Sequence, residues 1–212
     1  MPAYRIKQNL YLYPTPAGTF YTISADTDDP ERQLLQTLFQ LKSSPKVDLE
    51  LLANICGLGN RKDMVELLHH MQTLGWLQGC SAARRVYSGP LEQVLPQMLG
   101  MLSGDKKALL ADQEGFYISQ CGFDQEQAEY LAALSADLSG LQKKYSDFLS
   151  SGLALNYDAW AIPDAFGNSQ LGFWSLYIGG QRFVLLVQGV PRFNAPVLTE
   201  FVWALTHRYG EA

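Results

Sequence analysis

The side chains capable of chemistry are few in this 212-residue chain, and their spacing does not gather them. Three cysteines, Cys56, Cys80 and Cys121, are an odd number with no C-x-x-C spacing, so they read as reduced, structural thiols without a zinc ligand set. A cysteine nucleophile needs a base, and Cys121 with His207 is the conceivable pair, but nothing in the sequence brings them together. The adjacent His69 and His70 would point about 100° apart on a helix and chelate one ion poorly. Glu66 lies four residues before His70, a spacing that suits a surface pair better than a metal site. Asp112 and Glu114 fall in a turn, where folding chemistry explains them. Gly57-Leu58-Gly59 sits between two helices and does not follow a strand, as a phosphate-binding loop would. P-loop, G-x-S-x-G, H-E-x-x-H and G-x-G-x-x-G motifs are absent. No catalytic centre, cofactor or metal site is therefore expected. The aromatics Trp160, Phe166, Phe173, Trp174, Tyr177 and Phe193 could line a ligand pocket, although core or interface packing is the preferred reading.

Composition sets the frame for those residues. Hydrophobic residues make up 47% and charged residues 17%, which is a globular balance. No run reaches the roughly 18 apolar residues of a membrane span, and the N-terminus lacks the apolar core of a signal peptide. A soluble cytoplasmic protein with no membrane partner is expected. Residues 1–90 carry nine Lys/Arg against eight Asp/Glu, whereas residues 91–212 carry seven against thirteen. The second half should repel phosphate backbones, so any nucleic-acid contact belongs to the first.

Segments Tyr4 to Tyr13 and Thr19 to Ala25, divided by Pro14-Thr15-Pro16-Ala17-Gly18, predict an N-terminal β-hairpin. Asp29-Pro30-Glu31 then starts a helix with Leu34, Leu35, Leu38, Phe39 and Leu41 on one stripe. Asp48 caps a second helix with Leu49, Leu52 and Ile55 on one side. A Gly57-to-Asn60 turn follows, and Asn60 can cap a third helix carrying Met64, Leu67, Leu68, Met71 and Leu74. Trp76 to Tyr87 fits a small hairpin. Three helices with a trailing hairpin, in the pattern D-L-E-L-L-A-N-I-C-G-L…M-V-E-L-L-H-H-M-Q-T-L-G-W-L, resemble a winged-helix domain over roughly residues 28–88. In a DNA-binding version, Arg61 and Lys62 would reach the major groove, and Arg84 and Arg85 a phosphate. Asp63 and Glu66 share the helix, and four cations are few for phosphate neutralisation. A protein-binding or structural winged helix is the other reading.

Ser88-Gly89-Pro90 marks the boundary between domains at 1–89 and 90–212. Beyond it, Leu91, Val94, Leu95, Met98, Leu99 and Leu102 make an amphipathic helix in which Pro96 should cause a kink or a delayed start. Lys106 to Ala111 and Phe116 to Cys121 read as strands around a type I turn, apolar on both faces at their centres. Asp124 and Gln127 form a capping pattern at the start of a helix of roughly 26 residues. Leu131, Leu134, Leu138, Leu141, Tyr145 and Phe148 follow a heptad seam along it. Ala132, Ser135, Ala136, Ser139 and Gly140 line a small-residue face suited to close packing. Strands at Ala159 to Pro163, Leu171 to Ile178 and Arg182 to Gln188 follow, the last two joined by Gly179-Gly180, and a helix from Ala195 to Arg208 ends the series.

This α-β-β-α-β-β-β-α order resembles the Roadblock/LC7 family, and A-L-L-A-D-Q-E-G-F-Y-I-S-Q-C-G…A-E-Y-L-A-A-L-S-A-D-L is similar to its opening hairpin and central helix. The resemblance covers about residues 90–210 and departs from the family at the aromatic-rich stretch from Asn156 to Trp174. Together with the winged-helix resemblance before it, this implies an α+β fold, a winged helix followed by a domain with helices on both faces of a five-stranded antiparallel sheet. It also implies a non-catalytic domain that dimerises through its central helix and a sheet edge. Such domains are platforms for small Ras-like GTPases, motors or signalling scaffolds. The dimer interface would be Leu131, Leu134, Leu138, Leu141, Tyr145 and Phe148. Two functions are expected from these features: a homodimeric scaffold or regulator of a protein partner such as a small GTPase, or a dimeric winged-helix transcriptional regulator.

Overall fold

The computed structural model describes residues 9–57, 61–155 and 158–210, leaving aside the side chains of Ile55 and Arg61. The first part of the expected Tyr4–Tyr13 strand, most of the Gly57–Asn60 turn with its Asn60 cap, and Asn156 lie outside the described residues. The chain is a mixed α+β structure whose described elements include seven α-helices and a five-stranded antiparallel sheet.

Strand β1 (Tyr11–Pro14) is followed immediately by helix α1 (Pro16–Ile23). The expected hairpin between Tyr4–Tyr13 and Thr19–Ala25 does not form. Thr15 caps α1, its hydroxyl oxygen accepting from the Gly18 amide at 3.1 Å, and Pro16 takes the first helical position. The residues expected to make the turn therefore start a helix instead. Strand β1 pairs antiparallel with β2 (Leu77–Cys80), with Tyr11 opposite Cys80 and Pro14 opposite Leu77. The expected hairpin over Trp76–Tyr87 is likewise replaced by this long-range pairing, and Arg85 makes only an isolated bridge to Ser43.

Between these strands lie α2 (Pro30–Gln40), α3 (Leu49–Ile55) and α4 (Arg61–Thr73). Asp29 caps α2 and Asp48 caps α3. Leu34, Leu35, Leu38, Leu52, Met64, Leu68 and Met71 close into one core with Leu12 and Leu77. Helix α2 has a second duty, because Phe39 on its other side enters the core of the C-terminal half together with Ile23 of α1.

Helix α5 (Leu91–Met101) runs through Pro96 and starts at Leu91, so the proline does not delay it. Strands β3 (Lys107–Asp112) and β4 (Tyr117–Cys121) form the expected hairpin. Helix α6 (Gln125–Asp147) begins with a capping box in which Asp124 and Gln127 bond reciprocally, and ends in a π-helical turn, Phe148–Gly152. Strands β5 (Ala159–Pro163), β6 (Ser169–Ile178) and β7 (Gln181–Gln188) complete a sheet of order β4-β3-β7-β6-β5, and α7 (Val197–Tyr209) follows. Gly179 and Gly180 both hold positive φ, 59° and 74°, which is what a two-residue hairpin turn demands.

Alternation along β3 feeds two cores. Ala108 and Leu110 face α5 and α7, while Leu109 and Ala111 face α6. Helix α6 approaches the sheet through Ala128, Ala132 and Ser135, which are fully buried, so small residues set the close approach. The halves on either side of Ser88-Gly89-Pro90 are also tied by polar contacts. Thr19 and Thr199 share a buried hydroxyl bond of 2.9 Å, and Trp203 Nε1 donates to the Leu41 carbonyl at 2.8 Å.

Candidate interaction surface

Helix α6 leaves one side of itself uncovered. Leu131 and Leu138 are half-buried and pack on the core beneath the helix. Leu134, Leu141, Tyr145 and Phe148 are exposed, Phe148 to 61%. The six expected seam residues therefore divide into two that anchor α6 and four that face outward. Beyond the helix, Leu153 and Leu155 extend the exposed apolar line.

The adjacent sheet edge has the same character. All five residues of β5 are exposed, Trp160 and Ile162 included, and among the described residues β5 pairs only with β6, which leaves its other backbone edge open there. Trp160 Nε1 donates to Gln142 Oε1 at 3.1 Å, which links the edge strand to α6. Behind β5, Asp158 receives bonds from Arg182 Nη2 at 2.7 Å and from the Tyr177 hydroxyl at 3.2 Å, and Arg182 also reaches Ser175 Oγ at 2.7 Å. Burial, reinforced by the Asp158 charge, holds the Tyr177 phenol above its ordinary value and keeps it neutral. This cluster staples the segment before β5 to β6 and β7. Tyr130, Ile162 and the Asp158 cluster escape the heptad pattern. Ile162 was legible as part of an apolar strand, but not as an exposed edge.

No family model, curated protein or solved structure matches the chain.

Those with chemical potential are held apart. Cys121 Sγ packs towards Gly100 of α5, while His207 Nε2 lies 3.1 Å from the Leu41 carbonyl oxygen. Cys56 is buried, and burial raises its thiol pKa, which disfavours the reactive thiolate. His69 and His70 are exposed on α4, and no cluster of potential metal ligands occurs among the described residues. Nor is any described helix long and apolar enough to cross a membrane. The aromatics do not converge. Phe173 faces the core under α6, Trp174 packs edge-on against Phe193 on the opposite side of β6, and Phe166 is exposed at 90%.

Of the cations considered for nucleic acid, Lys62 lies 3.8 Å from Glu66 and both are largely exposed. Arg84 and Arg85 are exposed as well, with the Arg84 guanidinium 5.9 Å from the Tyr13 ring. Arg61 opens α4, but its side chain lies outside the described residues.

Asp112 is occupied with folding. Its Oδ1 accepts from the Glu114 amide at 3.0 Å and the Phe116 amide at 2.9 Å, fixing the β3–β4 turn. Asp112→Ala is expected to lower stability by about 1.5–3 kcal/mol, the usual range for bonds to a charged acceptor. Asp112→Asn should retain most of it. Urea denaturation compares the two, and equal losses would remove the turn bonds as the cause.

Proposed function

We propose that this chain is a non-catalytic scaffold or regulator that forms a homodimer through α6 and the β5 edge and presents the assembled surface to a protein partner. A small Ras-like GTPase is the partner class suggested by the Roadblock/LC7 resemblance. The observation that carries the reading is the continuous exposed apolar line Leu134, Leu141, Tyr145 and Phe148 beside the open β5 edge with Trp160 and Ile162. Contiguous apolar patches are unusual on monomers and mark interaction sites. An open strand edge is a hazard unless something pairs with it. A second copy supplies both an identical helix face and an identical edge, as two-fold symmetry requires.

Leu141→Glu is the clean test, because Leu141 is exposed in the single chain whereas Leu138 also supports the core. Light scattering should give twice the 23.6 kDa chain mass for the native protein and the single mass for the variant, with unchanged circular dichroism. A variant that keeps the dimer mass refutes this seam.

A further inference from the structure

A groove of about 940 Å³ opens between the N-terminal part of α6, the β5–β6 hairpin and the end of β7. Its volume is at the upper end of the roughly 300–1,000 Å³ range typical of ligand sites. Phe123, Leu131 and Leu171 form its base and belong to the core under α6. Tyr130, Ile162 and Val190 form its walls and are unusually exposed for large apolar side chains, at 71%, 55% and 61%.

The charged residues that line it have one sign. Asp105 and Asp164 are the charged residues of the lining, and among the described residues no Lys, Arg or His contributes to it. Asp164 is held in place because its Oδ1 accepts from the Phe166 and Asn168 amides at 2.8 and 2.9 Å. Lys107 is nearby, 5.8 Å from the Phe123 ring, but does not line the groove.

We propose that this groove receives an extended segment of a partner protein bearing apolar side chains flanked by lysine or arginine. This rests on the reading of the chain as a protein-binding platform. The apolar side chains fill the space between Tyr130, Ile162 and Val190, and the cations meet Asp105 and Asp164. A peptide fits better than a compact ligand, because an extended chain can offer apolar side chains to Tyr130, Ile162 and Val190 and cations to Asp105 and Asp164 at the same time.

The test is fluorescence anisotropy on the full chain with two fluorescein-labelled, acetylated peptides. One contains Leu-Lys-Val-Arg-Leu and the other Leu-Glu-Val-Glu-Leu. The basic peptide should bind saturably and at least tenfold tighter, with affinity that falls as salt rises. Val190→Lys should weaken it at least tenfold and Asp105→Asn several-fold, with circular dichroism unchanged in both. Equal affinity for the two peptides, or no effect of Val190→Lys, overturns the proposal. Binding that appears only in the Leu141→Glu variant also overturns it, because a second copy then fills the groove. A native chain that binds the basic peptide yet scatters as a monomer supports the groove and rejects the dimer.

Discussion

Replacing Arg32 with Met should destabilise the fold by about 3–5 kcal/mol, the range seen when one partner of a buried charge pair is removed. The Arg32 side chain is 4% exposed although it lies on the first turns of α2. Its Nη1 donates to the carbonyls of Tyr21, Thr22 and Ala25, and its Nε to Thr27 Oγ1 at 3.1 Å and Asp29 Oδ2 at 3.3 Å. The last carbonyls of a helix have no partner within it, so α1 is closed at its C-terminus by a guanidinium from the next helix. The same group lies over the Tyr21 ring at 4.3 Å, and that ring stacks on Trp76 at 3.8 Å. Methionine fills similar space but leaves these carbonyls and the Asp29 carboxylate without their cation. Lysine, a single point charge, cannot span the fork, so Arg32→Lys should recover only part of the loss.

The pH dependence gives a second measure of this cluster. Burial pushes the Asp29 carboxyl upward, but bonds from Tyr21, the Arg32 amide and Thr27, with the Arg32 charge, outweigh it and leave the pKa lowered. Its contribution is therefore full above the unfolded value near 3.9 and is lost as pH falls through the depressed folded value. At the other extreme, burial and the Asp29 bond push Tyr21 up to about 12. Its contribution is full below the unfolded value near 10 and is lost as pH rises towards about 12. Urea midpoints across pH should show a shallower acid decline in Arg32→Met than in the native chain. An Arg32→Met protein within about 1 kcal/mol of native stability would show that the guanidinium only occupies space.

Arg32 also shows where reading the sequence stops. The N-cap at Asp29 and the proline after it are local signals, and they place α2 correctly. That an arginine inside this helix would close its predecessor depends on how α1 and α2 meet, which no spacing rule encodes. Thr15-Pro16 carries the same cap-and-proline signal as Asp29-Pro30. It was obscured because Phe20, Tyr21, Thr22 and Ile23 favour strands and prolines flank Thr15 on both sides. The C-terminal half was more legible because its pairings are mostly local. Gly179-Gly180 joins β6 to β7, Asp112 closes β3–β4, and the capping box starts α6. The β1–β2 pairing joins residues on either side of four helices, and β2 offered no turn to announce it. At the candidate surface, the heptad spacing identified the apolar residues of α6 but could not divide them between core and solvent. That division follows from Ala128, Ala132 and Ser135 taking the face nearest the sheet.

Two identical substitutions, Gly18→Ala and Gly140→Ala, should move stability in opposite directions. Both glycines lie inside helices, where alanine is intrinsically better by about 1 kcal/mol. At Gly140 a β-carbon meets nothing within 4 Å, so the propensity gain should appear nearly whole. At Gly18 it would land on the backbone carbonyl of Trp76. That carbonyl cannot simply withdraw. It accepts from the Thr15 amide at 3.0 Å, Thr15 Oγ1 donates to the neighbouring Gly75 carbonyl, and the Trp76 amide donates to Met71 at 2.8 Å. Moving Trp76 would also disturb its stack on Tyr21 and, through Tyr21, the Arg32 cation. Overpacking of this kind costs about 1–3 kcal/mol or more, which exceeds the propensity gain. Urea midpoints measured in the Leu141→Glu background keep self-association out of the comparison. There, Gly140→Ala should rise by up to about 1 kcal/mol and Gly18→Ala should fall. A stabilised Gly18→Ala protein would mean that α1 and the Gly75–Trp76 turn do not meet as closely as this fold requires.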